Sequence, residues 1–347
     1  MAGAVGARYV RRMRPVVIVG GGLLGCSVAW ELGKRGRRTI VLERAVVGAE
    51  ASTAAAGILA PRMEAHGDTG FRALGIASLE MYARWVEPLG DVGFRRCGVV
   101  SVLPEQPDPD AIRRDSASLV RIQQGLSVDE AWWLPEEATV DTRRLVHAVH
   151  AASEAEFIVG REVRAVDARG VTLAGGERVD GTVVVCAGAW TSLVPGMASI
   201  PVHPVRGQLV ALDARIQAIV FGEGGYLVPR RDEVVCGATV EEVGFSRGVT
   251  DAGVAEVLAS ARRMLPTLGS ATTLRSWSGF RPGSPDRQPI VGSVGDIWVA
   301  SGHYRNGVLL APLTARRLAE AVCDGAPLPT EWDPARFAAT RPESSAS

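Results

Sequence analysis

A short all-apolar run, Val16-Val17-Ile18-Val19, passes directly into Gly20-Gly21-Gly22-Leu23-Leu24-Gly25 at the start of a helical pattern. Arg14 to Val19 reads as a buried strand, Leu23 to Lys34 as a helix, and Thr39 to Leu42 as a second strand ending at Glu43. A G-x-G-x-x-G inside such a β-α-β unit has a mechanical reading. Gly20 permits the tight turn, Gly22 lets the backbone approach a pyrophosphate, and Gly25 allows the helix to pack closely on the strand. The amides at Leu23 and Leu24 and the positive end of the helix dipole then face the phosphates. Glu43, 23 residues after Gly20, is placed to accept hydrogen bonds from an adenosine ribose, with Arg44 beside it. Its negative charge disfavours a 2′-phosphate. The fingerprint by itself does not separate NAD from FAD.

Downstream, Ala51 to Pro61 is rich in small residues, and Phe71 to Val86 has apolar residues at helical spacing. Phe94 to Leu103 turns to strand, Pro104 to Pro109 breaks the pattern, and Asp110 to Gln124 is expected to be helical. Asp141 is a natural N-cap for a helix over 141–152. Strands are predicted at 157–159, 163–167 and 170–173. Thr182 to Cys186 should be a buried parallel strand, whose follower, Ala187-Gly188-Ala189-Trp190, should meet the ligand. Residues 201–240 alternate in short runs, as in an antiparallel sheet of hairpins. A helix over 251–265, strands over 274–281 and 297–300, and a last helix over 307–322 complete the pattern.

The chain has 347 residues, 47% hydrophobic and 22% charged, which is enough for two domains and a large buried cofactor. Its 38 basic and 38 acidic side chains cancel, so neither nucleic acid nor an anionic membrane is indicated as a partner. Five dispersed cysteines without C-x-x-C read as small hydrophobes in a reducing cytoplasm. Arg11-Arg12-Met13-Arg14 is not followed by a signal-peptide core, and Met13 is an alternative start. Residues 1–13 and 338–347 are expected to be disordered tails. His147 and His150 share a helix face without a third ligand, His66 sits in a loop and His203 lies between prolines; no metal site is expected. Trp132-Trp133 is assigned to packing.

One dinucleotide fingerprint and a late Ser301-Gly302-His303-Tyr304-Arg305-Asn306-Gly307 before the last helix favour FAD, since a second helix start can face the electron-rich end of a reduced flavin. A plain helix cap is the equal alternative for that segment. Four segments then carry a resemblance: 52–61 (STAAAGILAP), 226–230 (YLVPR), 279–283 (GFRPG) and 302–307 (GHYRNG). In order and over nearly the whole chain, they resemble the glycine oxidases of thiamine biosynthesis, within the D-amino-acid oxidase superfamily.

The resemblance implies an α/β fold: a Rossmann-type FAD-binding domain (14–93, 141–200, 281–330) interleaved with an α+β substrate domain (94–140, 201–280) built on an antiparallel sheet. It implies non-covalent FAD along Ser52, Thr53, Ala55, Ala56, Gly57 and Ile58, with Val163 at the adenine and Ala187, Gly188 and Trp190 nearby. Gly302, His303, Tyr304, Arg305, Asn306 and Gly307 would face the flavin. Arg281 would bind a substrate carboxylate bidentately with Tyr226 on the same group, and Arg305 close by. The implied reaction is hydride transfer from the α-carbon of a small amine (glycine, sarcosine or a small D-amino acid) to the flavin. No side-chain base takes part, and oxygen is reduced to hydrogen peroxide. A homo-oligomer and a thiazole synthase partner are expected with it. Ile58 and Tyr304 depart from the methionine and phenylalanine common in the family. Quinone-linked D-amino-acid dehydrogenases, sarcosine-type oxidases and a flavin protein without turnover are the competing readings. Cys323, beyond the 302–307 motif, is not expected to attach the flavin covalently, and no Ser-His-Asp pattern supports hydrolysis.

Overall fold

The computed structural model describes residues 14–340. Residues 1–13, with the alternative start at Met13, and residues 341–347 of the expected tails lie outside the described residues; 338–340 end a short 3-10 helix, Pro334–Thr340.

Val16–Val19 is the centre of a six-stranded sheet because every one of its residues is buried on both faces. It pairs in parallel with Thr39–Glu43 and Thr182–Val185, in register Val16 to Thr39 and Val16 to Thr182. Glu156–Val159 extends the sheet on one side. Ile297–Ser301 and Ile290–Val294 extend it on the other, the last pair antiparallel. Side chains alternate with a period of two. Val16, Ile18, Val41 and Val184 pack on the helices Leu23–Gly33 and Gly307–Asp324 through Val28, Leu32 and Leu318. Val17, Val19, Leu42 and Val185 pack on Val166, Val171 and Leu173 of a three-stranded antiparallel sheet over 163–180.

An eight-stranded sheet takes its strands from 99–134 and 203–283, so the two large sheets interleave along the chain. It is antiparallel apart from one parallel pair, Ile219–Gly222 with Val99–Ser101. One face, with Val210, Leu227 and Cys236, is covered by Val257, Ala261 and Met264 of the helix Asp251–Met264. The other, with Leu209, Tyr226 and Val228, meets Ala56, Ala60 and Met63.

The stretch 110–124 differs from expectation. Ile112–Asp115 is an edge strand against Trp132 and Trp133 of Glu130–Leu134, and only Ser116–Ile122 is helical. Asp115 ends the strand because its carboxylate accepts the Ser118 amide as an N-cap. Asp141 caps the helix Thr142–Ala152 as expected, accepting from the Arg143 and Arg144 amides.

Candidate active site

The parallel strands end on one edge of the six-stranded sheet, and residues at or just beyond their C-terminal ends, Gly20, Glu43, Ala187 and Ser301, line the same cavity. That edge is where open α/β sheets bind ligands. The cavity, of about 370 Å³, continues without interruption from the glycine loop to Arg281 and Tyr226 on the eight-stranded sheet.

At the glycine end the backbone is shaped for close approach. Gly20 has φ +107°, and a Cβ there would strike the Cys186 carbonyl. Gly25 lies against the Gly20 carbonyl, so it serves helix–strand contact and does not line the cavity. Gly22 is the N-cap and has no side chain to satisfy the helix start. Ser52 Oγ, in the short helix Ala51–Ala54, accepts the Leu23 amide at 2.8 Å and braces the loop, so this amide, expected to face the phosphates, is already engaged by a side chain. Glu43 accepts the Gly21 amide at 2.8 Å and the Ala45 amide at 2.9 Å, one on each oxygen, and a carboxylate oxygen can accept a second bond.

Mid-cavity, Ala55, Ala56, Gly57 and Ile58 form one wall, while Val163, Ala187, Gly188 and Trp190 stand near the glycine end. Thr53 is turned away, its hydroxyl donating to the Gly48 carbonyl at 2.8 Å. Gly302 also stands behind the wall, with φ +70° against Ile290, whereas His303, Tyr304, Arg305, Asn306 and Gly307 reach the cavity. His303 is buried, its Nε2 3.0 Å from Thr314 Oγ1, and burial pushes its pKa down to about 4. It is a neutral ring at physiological pH.

At the far end, Arg281 arrives on the long strand Thr273–Gly283, paired with His203–Leu212. Its Nη1 donates to the carbonyls of Arg206 at 3.3 Å and Thr239 at 3.1 Å. Among the described residues it has no carboxylate in ion-pair contact. Tyr226 is buried beside it; burial raises the phenol pKa, and the charge of Arg281 works against the rise. Arg305, by contrast, already has a partner: Glu64 Oε1 at 3.1 Å, whose charge raises the arginine pKa.

Sequence reasoning missed Glu64, Gly207 and Arg161, all in the lining. It also missed Phe245, which stacks on Trp190 with centroids 4.8 Å apart, and Arg247, which bridges to Glu50 at 2.6 Å. Arg44 lies over the same Trp190 ring, 4.1 Å from its centroid. Cys323 is outside the lining. His147 is exposed and His150 half-buried, its ring packed on Phe157; among the described residues no cluster that could hold a metal ion is found.

A long cleft with a glycine-capped helix start at one end, a wall of small residues in the middle and, at the other, a cation without an ion-pair partner among the described residues fits an extended dinucleotide carrying a flat ring. Comparison with known proteins agrees. A family model described as FAD dependent oxidoreductase matches residues 15–321. The bifunctional protein ThiO/ThiG of Synechocystis sp. is 35% identical over 94% of this chain and 54% of its own length. This chain thus spans about half the length of such bifunctional relatives. Glycine oxidase of Pseudomonas aeruginosa is 31% identical over 93% of this chain and 98% of the relative. The crystal structure of glycine oxidase from Geobacillus kaustophilus superposes with a TM-score of 0.83 at 28% identity, covering 89% of this chain and 94% of that one.

Proposed function

This chain belongs to the DAO family of FAD dependent oxidoreductases, and we propose that it oxidises glycine and other small amines bearing a carboxylate. The observation that carries the reading is Arg281: a half-buried guanidinium, unpaired among the described residues, in the same cavity as the glycine loop. Nη1 is occupied by two carbonyls, which leaves Nη2 and Nε, an edge suited to bidentate contact with a carboxylate. Tyr226 supplies a further hydrogen bond to that group. Because Glu64 balances Arg305, Arg281 is left without a carboxylate partner among the described residues, and an anionic end of the substrate is drawn to it.

The glycine-loop amides and Glu43 hold the adenosine diphosphate portion of FAD, and the 55–58 wall and the 303–307 segment flank its ring. FAD, when bound, supplies the hydride acceptor for the substrate α-carbon and passes two electrons to oxygen, giving hydrogen peroxide. The chain's own contribution is orientation: the carboxylate is anchored so that the α-carbon faces the 55–58 wall. Glu64 is held by Arg305 and is not assigned as a base; the substrate reacts as its neutral amine. The resulting imine is hydrolysed to glyoxylate and ammonia or passed to a thiazole-forming partner, a placement supported by relatives named bifunctional ThiO/ThiG. The segment limits 14–93, 141–200 and 281–330 for the cofactor domain belong to the same proposal.

A peroxide assay of the FAD-loaded protein with glycine, sarcosine, D-alanine and L-alanine tests the reading. Peroxide and glyoxylate from glycine are expected. Turnover of simple alkylamines with none from any amino acid would overturn it.

A further inference from the structure

Arg230 closes the 226–230 motif, yet it does not line the cavity. Its side chain is only 11% exposed and points at backbone. Nη2 donates to the Ala56 carbonyl and Nη1 to the Val140 carbonyl, each at 2.7 Å. Asp141, 3.6 Å away, supplies the nearest negative charge, though its Oδ1 is also committed to the Arg143 and Arg144 amides.

The neighbouring carbonyls are tied to the same side. Ala55 O accepts from Thr142 Oγ1 at 2.9 Å, and Gly57 O accepts from Thr139 Oγ1 at 3.0 Å and from the Val140 amide at 2.9 Å. None of Thr139, Thr142 and Arg230 lines the cavity, whereas Ala55 to Ile58 do. In a trans peptide the N–H points opposite its C=O. Three consecutive carbonyls held from behind therefore aim the amides of Ala56, Gly57 and Ile58 at the cavity. Gly57, with φ +80°, is required because a Cβ would strike the Val140 carbonyl.

We propose that Arg230 is a positioning residue that tunes the bound flavin: its charge, acting through the Ala56 carbonyl, polarises the Gly57 amide toward the cofactor. A cation at the carbonyl end of a peptide dipole strengthens the donor at the other end. The effect favours negative charge on the flavin and so makes it easier to reduce. Among the described residues, only the Ala56 carbonyl of the three is held by a charged donor, so removing Arg230 costs more than removing either threonine.

The inference rests on the reading that the flavin ring lies along 55–58. The test uses the FAD-loaded protein without amine substrate: sulfite, which bleaches oxidised flavin by adding to it as an anion, together with the midpoint potential. Arg230→Met is expected to weaken sulfite binding at least tenfold and lower the potential by about 30 mV, a tenfold change for a two-electron couple. Arg230→Lys should restore part of the loss, and Thr142→Val should change less than either. If Arg230→Met does not fold, Arg230→Gln against Arg230→Lys makes the same comparison of neutral with charged. A purely structural role would lower FAD affinity or thermal stability while leaving sulfite affinity and potential of the bound flavin at wild-type values, and that result overturns the proposal. Ile58→Ala, which trims a side chain of the cavity lining and places no new atom against the Val140 carbonyl, separates the two ways of failing. If it leaves FAD affinity and spectrum unchanged, the ring is not on this wall. If it perturbs them while the Arg230 variants do not move the potential, the wall is right and Arg230 has no tuning role.

Discussion

Replacing Arg281 by Met keeps the bulk of the side chain and removes the charge at the end of the cavity. In the native chain Nη1 spends its two protons on the Arg206 and Thr239 carbonyls, so the guanidinium is held in place before any ligand arrives. The free edge then offers two charge-assisted hydrogen bonds, each worth about 1.5–3 kcal/mol. Arg281 is only half-buried, so water screens part of this, and a loss of about 2–4 kcal/mol in transition-state binding is expected, roughly 30- to 1000-fold in kcat/KM. The loss should appear mainly in KM, because the carboxylate contact is made in both the ground and the transition state. An alkylamine of similar size, lacking the carboxylate, should be oxidised slowly by both proteins and with little difference between them. Steady-state peroxide production with glycine and with the alkylamine reads both arms. Equal loss on the two substrates would refute the assignment of Arg281 to the carboxylate.

Other expectations use the same geometry. Gly207→Ala places a Cβ 2.5 Å from the Arg281 guanidinium, so KM for glycine should rise about tenfold or more while FAD affinity, measured by fluorescence titration of the apoprotein, stays unchanged. Glu43→Arg reverses the charge beside the glycine loop and removes the acceptor for the Gly21 amide; FAD should bind at least tenfold more weakly, and unchanged affinity would place the ribose elsewhere. His303 is pushed by burial to about 4 in the folded state, below its ordinary value of 6.5. Its contribution to stability is therefore fully present above about pH 6.5 and lost as pH falls toward 4, on the order of 3 kcal/mol for a shift of this size. Thermal unfolding of wild type and His303→Gln between pH 4 and 8 should show a shallower acid loss in the variant; parallel curves would contradict it.

Legibility of the sequence followed locality. The β-α-β unit is readable because its strands are all apolar, its glycines are contiguous and Glu43 closes the second strand, so every signal lies within thirty residues. The Asp141 cap is equally local. The 110–124 stretch misled because Ile112 to Ile122 contains apolar residues at helical spacing, while the strand half is decided by pairing with Trp132 and Trp133. Ile290–Val294 carries no local strand signal: Pro289, Gly292 and Ser293 disguise a strand that exists by pairing with Ile297–Ser301. Glu64 carries no motif; its place in the site depends on Arg305, 241 residues away. Phe245 and Arg247 sit in a Gly- and Glu-rich connection whose contact with Trp190 and Glu50 is set by tertiary packing alone. Arg230 was visible within a motif, but its role becomes clear only from the carbonyls it holds.

The most direct test of the central claim is an anaerobic titration of the purified, FAD-loaded protein with glycine, following flavin absorbance and then admitting air. The account predicts bleaching of the flavin by glycine, with recovery of absorbance and one peroxide per flavin on reoxidation. A flavin spectrum that neither glycine nor sarcosine nor D-alanine bleaches, in protein that still reacts with dithionite, would contradict it.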